Sequence, residues 1–139
     1  MVERKEYLDQ LWAWKDGQQI KVVTGIRRCG KSVLLEQYQH RLLAHGVTSD
    51  QIISINFENL DYEDLKDYRK LYQYLKERLC AEKMTYIFLD EIQEVPSFEK
   101  VVDSLYIRER VDLYLTGSNA YMLSSELATL LSGRYTEIK

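Results

Sequence analysis

Residues 25–32 read Gly-Ile-Arg-Arg-Cys-Gly-Lys-Ser, a G-x-x-x-x-G-K-S octapeptide, and they stand where one periodicity ends and another begins. Before them, Ile20-Lys21-Val22-Val23-Thr24 is a short β-branched run, a strand by length and residue type. Residues 25–30 read as a loop. From Lys31 the period is helical, with Leu34, Leu35, Tyr38, Leu42 and Leu43 on one face, until Gly46 stops the helix. A strand that turns through a glycine-framed loop directly into a helix is an α/β unit. The remaining sequence has to supply the other strands of its sheet.

It does so by strict alternation. Residues 4–14 form an amphipathic helix with Tyr7, Leu8, Leu11 and Trp12 on one stripe, broken at Asp16-Gly17. Residues 52–57 are a second strand, with Ile53, Ile55 and Phe57 alternating against Ser54 and Asn56. A long helix follows, marked by Tyr62, Leu65, Tyr68, Leu71, Tyr72, Leu75 and Leu79. Tyr86-Ile87-Phe88-Leu89 is an apolar run that suits a strand buried on both faces, and it ends in Asp90-Glu91. Pro96 opens a helix carrying Val101, Val102 and Leu105. Residues 111–116 are a fourth strand, residues 121–131 a fifth helix ended by Gly133, and residues 135–139 a last strand. Strands alternating with helices predict a parallel sheet covered by helices on both faces.

The octapeptide carries specific chemistry. Its glycines let successive backbone N–H groups curl around phosphate oxygens, and the following helix presents its positive amino-terminal end to them. Lys31 reaches the β- and γ-phosphates, and Ser32 supplies a hydroxyl ligand to Mg²⁺. Gly25, Ile26, Arg27, Arg28, Cys29, Gly30, Lys31 and Ser32 are therefore the candidate nucleotide-binding residues, with ATP and Mg²⁺ as the expected ligands. Arg27 and Arg28, at the crest of the loop, either meet phosphate or an acidic partner, or form a solvated face. Cys29 is small enough for a crowded loop and is assigned no chemistry. His40 and His45 read as surface residues.

The apolar strand ending in Asp90-Glu91 has the form of a Walker B segment. Mg²⁺ takes hard oxygen ligands and keeps several waters, so Asp90 beside Ser32 would hold one of those waters. Glu91 can polarise the water that attacks the γ-phosphate. An acidic pair that merely caps a helix is the alternative, weakened here by the octapeptide about 60 residues upstream. Thr116-Gly117-Ser118-Asn119 closes the fourth strand, at the end of an α/β sheet where ligands collect. Asn119, with Ser118 as second choice, could read the γ-phosphate or orient water; otherwise Asn119 caps the next helix.

Composition narrows the function classes. A net charge of -3 provides no basic field, so nucleic-acid binding through this domain alone is not expected. No apolar run approaches the ~20 residues that span a bilayer, and no signal peptide is visible behind the charged start. Two cysteines, Cys29 and Cys80, make neither a disulfide framework nor a metal site, and the expected location is the cytoplasm. The 11 tyrosines, several at helical spacing, read as packing rather than a partner surface.

Together these segments resemble the AAA+ ATPases. The similarity is greatest to a prokaryotic group of predicted ATPases whose P-loop reads G-x-R-R-x-G-K-S. Its Walker B strand runs into Asp-Glu-Ile-Gln, here Asp90 to Gln93, and Thr-Gly-Ser-Asn and Leu-Ser-Gly-Arg recur here at 116–119 and 131–134. The resemblance implies a three-layer P-loop NTPase core with sheet order 5-1-4-3-2. It implies that Lys31 and Ser32 bind nucleotide and metal, that Asp90 and Glu91 are the Walker B pair, and that Asn119 is the sensor-1 residue. Arg134 falls where such proteins often carry an arginine finger, which implies a homo-oligomer in the full-length protein. Asn56, or equally Asn59, matches a polar position that in some relatives restrains the catalytic glutamate. The chain departs from the pattern at its carboxyl end, where a helical lid and a further domain are expected, so residues 1–139 read as the ATPase core of a longer protein. The leading expectation is ATP hydrolysis. A P-loop kinase using Asp90, or a nucleotide-dependent interaction module with little turnover, are the alternatives.

Overall fold

A computed structural model describes residues 2–17, 19–24, 28–108, 110–122, 124–131 and 134–138 of the chain. Five strands, β1 (Ile20–Val23), β2 (Ile52–Asn56), β3 (Thr85–Asp90), β4 (Val111–Thr116) and β5 (Tyr135–Ile138), form one sheet of order β2-β3-β4-β1-β5. Every neighbouring pair is parallel. This is the expected order 5-1-4-3-2 read from the other edge.

Alternation along the strands sends side chains to two separate cores. On one face Ile20, Val22, Ile53, Ile55, Ile87, Leu89, Leu113 and Leu115 pack against α3 (Tyr68–Glu77), α4 (Phe98–Tyr106) and α6 (Ser125–Leu131). On the other, Val23, Phe88, Tyr86 and Tyr114 pack against α1 (Val2–Ala13) and α2 (Arg28–Ala44) through Leu11, Leu34, Leu35, Tyr38 and Leu42. The chain thus builds three layers. Ile87, Phe88 and Leu89 are fully buried, which explains why β3 shows no polar alternation in sequence. Tyr62, Tyr68, Tyr72 and Tyr74 lie half-buried against the first core, so they pack.

Several boundaries differ from the sequence expectation. Helix α2 begins at Arg28, not Lys31, three residues ahead of the point where the apolar stripe makes the helical period visible in sequence. The long helix expected over 62–79 is two pieces. A 3₁₀ segment, Leu60–Lys66, gives way to α3, and the Asp67 carboxylate caps α3 by accepting the N–H groups of Arg69 and Lys70. The helix expected over 121–131 is also divided, into α5 (Asn119–Met122) and α6, and the Ser124 hydroxyl accepts the Leu127 N–H at 3.2 Å. Pro96 lies two residues before α4, whose cap is Ser97 in a left-handed conformation at φ 63°. Among the described residues no helix is long and apolar enough to cross a membrane.

A buried polar cluster was not foreseen. Lys21 and Asp112, on adjacent strands, form an ion pair at 2.5 Å with both side chains fully buried. Lys21 also donates to the Gly17 carbonyl at 2.9 Å, and Asp112 accepts the Asp16 N–H at 2.9 Å and the Tyr114 hydroxyl at 2.8 Å. Burial pushes the Asp112 carboxyl above the usual aspartate range, and the Lys21 ammonium pulls it back only in part.

Candidate functional site

Because all five strands run parallel, their carboxyl ends share one edge, and the chemistry-bearing residues of three strands meet there. Ser32, in the first turns of α2, donates its hydroxyl to Asp90 Oδ2 at 2.5 Å across 58 residues of sequence. The other Asp90 oxygen accepts the hydroxyl of Thr116, the last residue of β4. That same Thr116 oxygen accepts the Glu91 N–H at 3.0 Å. One buried threonine hydroxyl therefore bridges both acidic residues.

Lys31 is buried, and its ammonium donates to the carbonyl of Gly117, one residue beyond β4. Burial lowers its pKa below the ordinary lysine value, while the charges of Glu91 and Asp90 work in the opposite direction. Lys31, the Asp90 and Glu91 carboxylates and the β4 tip thus occupy one locus. Asp90 and Glu91 are themselves buried, at 6% and 3% exposure, deep enough for charge interactions to count.

Glu91 sits at φ 62°, ψ 52°, in the left-handed region that a glutamate adopts only where its surroundings compel it. Among the contacts that hold it are the Thr116 hydroxyl at its N–H and Gln93, whose Nε2 donates to Glu91 Oε1 at 2.7 Å. Asn56, aligned with Asp90 in the β2–β3 register, instead accepts the Glu58 N–H at 3.0 Å, and Asn59 accepts the Asp61 N–H at 2.9 Å. Neither asparagine restrains Glu91 here. Both are occupied by local turns, a competition that short amide side chains often win.

The remaining site candidates are distributed as follows. Gly25, Ile26 and Arg27 lie outside the described residues, as do the side chains of Arg28, Cys29 and Asn119. Gly30, Lys31 and Ser32 are in α2. The cap of α5 is Ser118, whose hydroxyl accepts the Tyr121 N–H at 3.3 Å, and Asn119 is the first helical residue rather than the cap. Arg134 is not part of this cluster. Its carbonyl accepts the Ile20 N–H at 2.9 Å, at the amino ends of β1 and β5, and its guanidinium lies 3.5 Å from Asp103 and over the Tyr106 ring.

In the sequence Thr116, Gly117 and Gln93 stand only as members of the Thr-Gly-Ser-Asn and Asp-Glu-Ile-Gln segments, with no role of their own. Thr116 had one signal, a hydroxyl closing an otherwise apolar strand end. At Gly117 a Cβ would lie 2.6 Å from Gln93 Oε1 and 2.7 Å from Met122 Sδ, so both side chains would have to shift to admit one. The Ser32 hydroxyl and Asp90 carboxylate are hard oxygen donors of the kind that hold Mg²⁺ with one carboxylate and phosphate oxygens, so the residues present fit that ion.

Comparison with known proteins gives three results. The AAA domain family matches residues 17–139. An uncharacterized protein of Haemophilus influenzae is 46% identical over 140 residues, covering 100% of this chain and 35% of that protein. An uncharacterized protein of Methanocaldococcus jannaschii is 34% identical over 120 residues, covering 83% of this chain and 24% of that protein. The chain thus spans about a third or less of the length of these relatives. Among solved structures, Drosophila ORC bound to AT-rich DNA and Cdc6 superposes with a TM-score of 0.60 at 13% identity, over 99% of this chain and 53% of the other. Drosophila ORC bound to DNA gives 0.59 at 13% identity, over 99% and 89%. At that identity the likeness is one of fold.

Proposed function

The chain belongs to the AAA domain family and is a nucleotide-binding module of that type, and on this premise we propose that it binds ATP with Mg²⁺ and hydrolyses it to ADP and phosphate. The observation that carries the reading is the Ser32–Asp90 contact, which joins the phosphate loop to the acidic strand end at one point.

In this reading residues 25–32 cradle the phosphates and Lys31 exchanges the Gly117 carbonyl for β- and γ-phosphate oxygens, a charge-assisted contact stronger than the neutral one it replaces. Ser32 and Asp90 hold Mg²⁺, which when bound neutralises charge on the phosphates. Glu91, fixed at its backbone by Thr116, takes the proton of the attacking water. Asn119 reads the γ-phosphate from the start of α5. Arg134, a full strand length away from Lys31, serves a neighbouring subunit in a homo-oligomer of the full-length protein.

The test is phosphate release from ATP by the full-length protein, with and without Mg²⁺ and with no acceptor present. Mg²⁺-dependent release supports hydrolysis. Binding without release, coupled to phosphorylation of an added acceptor hydroxyl, supports the kinase alternative. Tight binding with neither outcome supports an interaction module.

A further inference from the structure

We propose that Gln93 is a positioning residue that holds the Glu91 carboxylate in its working orientation, an inference that rests on the hydrolytic reading above.

Three observations converge on it. Gln93 Nε2 lies 2.7 Å from Glu91 Oε1, a short contact of an amide donor with a carboxylate. The two residues are separated only by Ile92, at the start of the short helix Ile92–Glu94, and Ile92 is fully buried, so the backbone that carries Gln93 is anchored. The other end of the amide, Gln93 Oε1, is buried without a hydrogen-bond partner and faces Gly117, where a Cβ would come within 2.6 Å of it. A buried amide oxygen without a partner is costly, so packing alone would favour an apolar side chain at this position. The donor end of the amide gives a reason for glutamine: the donor faces Glu91 and the acceptor is the expendable end.

The surroundings make this a matter of orientation. Glu91 is in the left-handed region, so its side chain leaves the backbone in a direction that the β3 strand does not set. Thr116 fixes the Glu91 N–H, but not the carboxylate. Gln93 supplies a fixed contact at the carboxylate itself. Gly117 also carries the carbonyl that Lys31 holds, so the wall behind Gln93 is the same backbone the phosphate-binding lysine touches.

The experiment uses the full-length protein. Gln93→Met keeps length and bulk but removes the donor; Gln93→Glu keeps the shape and replaces the donor with an acceptor. Both should lower kcat by about 10- to 100-fold, the usual cost of a misplaced catalytic group, with the ATP dissociation constant changed by less than about twofold. A double-mutant cycle, read by single-turnover phosphate release, then separates positioning from general damage. If Gln93 acts through Glu91, Gln93→Met has an effect below about twofold in a Glu91→Gln background. Multiplicative losses in the double variant, a wild-type kcat in both Gln93 variants, or a faster kcat in either would overturn the proposal. Loss of nucleotide binding alongside kcat would do so as well. A Glu91→Gln variant that turns over normally would instead overturn the hydrolytic reading beneath it.

Discussion

The Ser32 hydroxyl and the Asp90 carboxylate lie 2.5 Å apart, although 58 residues separate them in the chain. The contact exists because β3 and β1 end on the same edge of a parallel sheet with β4 between them, and α2 starts directly above that edge. Thr116, at the end of the intervening β4, completes the link by donating to the second Asp90 oxygen. The proposed metal site is thus a property of strand order as much as of the residues themselves.

Lys31→Ala is expected to nearly abolish ATP binding, because the central charge-assisted phosphate contact disappears. Titration calorimetry with ATP and Mg²⁺ measures it, and an unchanged affinity would remove the octapeptide from the site.

Asp90 and Glu91, though adjacent, should separate by phenotype. Asp90→Ala should weaken the Mg²⁺-dependent part of ATP binding. Glu91→Gln should leave binding intact and slow hydrolysis by about 10²- to 10⁴-fold, since the amide keeps the shape but cannot accept the proton. Nucleotide titrations with and without Mg²⁺, beside steady-state phosphate release, distinguish the two. Equal losses of Mg²⁺-dependent binding would mean that both carboxylates hold the ion and would overturn this division of roles.

Much of this arrangement is legible in the sequence, because it depends on local patterns that repeat. The octapeptide, the apolar β3 run ending in acid and the alternation of elements each carry their own periodicity, and parallel pairing follows from them. The strand order came instead from the family resemblance. What escaped the pattern were contacts made between elements. Thr116 reads as one more β-branched strand residue until β3 is placed beside it. Gln93 reads as a polar residue after a strand until the left-handed turn at Glu91 brings its amide to the carboxylate. The breaks at Asp67 and Ser124 were masked because side-chain caps can interrupt a helix without disturbing its apolar stripe.

The Lys21–Asp112 pair is expected to matter for stability, not for turnover. Lys21→Met leaves a buried carboxylate unpaired and should destabilise the fold by about 3–5 kcal/mol near neutral pH. The sign of its pH dependence follows from Asp112. Burial already raises its folded pKa, and without the ammonium it rises further. A raised carboxyl pKa costs stability above the folded pKa, and the cost fades as pH falls through it and the group protonates. Urea midpoints should therefore show a larger Lys21→Met loss at pH 7 than at pH 5. A loss that grows toward pH 5 would contradict this account.

Arg134 is the site candidate whose position most limits what it can do. Ile20 pairs with Tyr135 at the amino ends of β1 and β5, whereas Lys31 meets Gly117 beyond the carboxyl end of β4. Four residues of strand, on the order of 13 Å at ~3.3 Å per residue, lie between Arg134 and the phosphate edge of its own chain. Its present partner is Asp103, with both side chains about two-fifths exposed, a pairing worth under about 1 kcal/mol. So weak a contact does not hold the guanidinium against a phosphate offered by a neighbouring subunit, where an arginine supplied in trans is worth about 10³ to 10⁵ in rate. We therefore predict that two inactive full-length variants complement each other. Arg134→Ala retains a complete nucleotide site, and Lys31→Ala retains the arginine. Their mixture should recover phosphate release that neither shows alone, and Asp103→Asn should remain active because it removes only the surface pair. If instead Asp103→Asn and Arg134→Ala lose activity equally and mixing restores nothing despite demonstrated co-assembly, Arg134 serves the fold of its own subunit and the arginine finger has to be sought elsewhere.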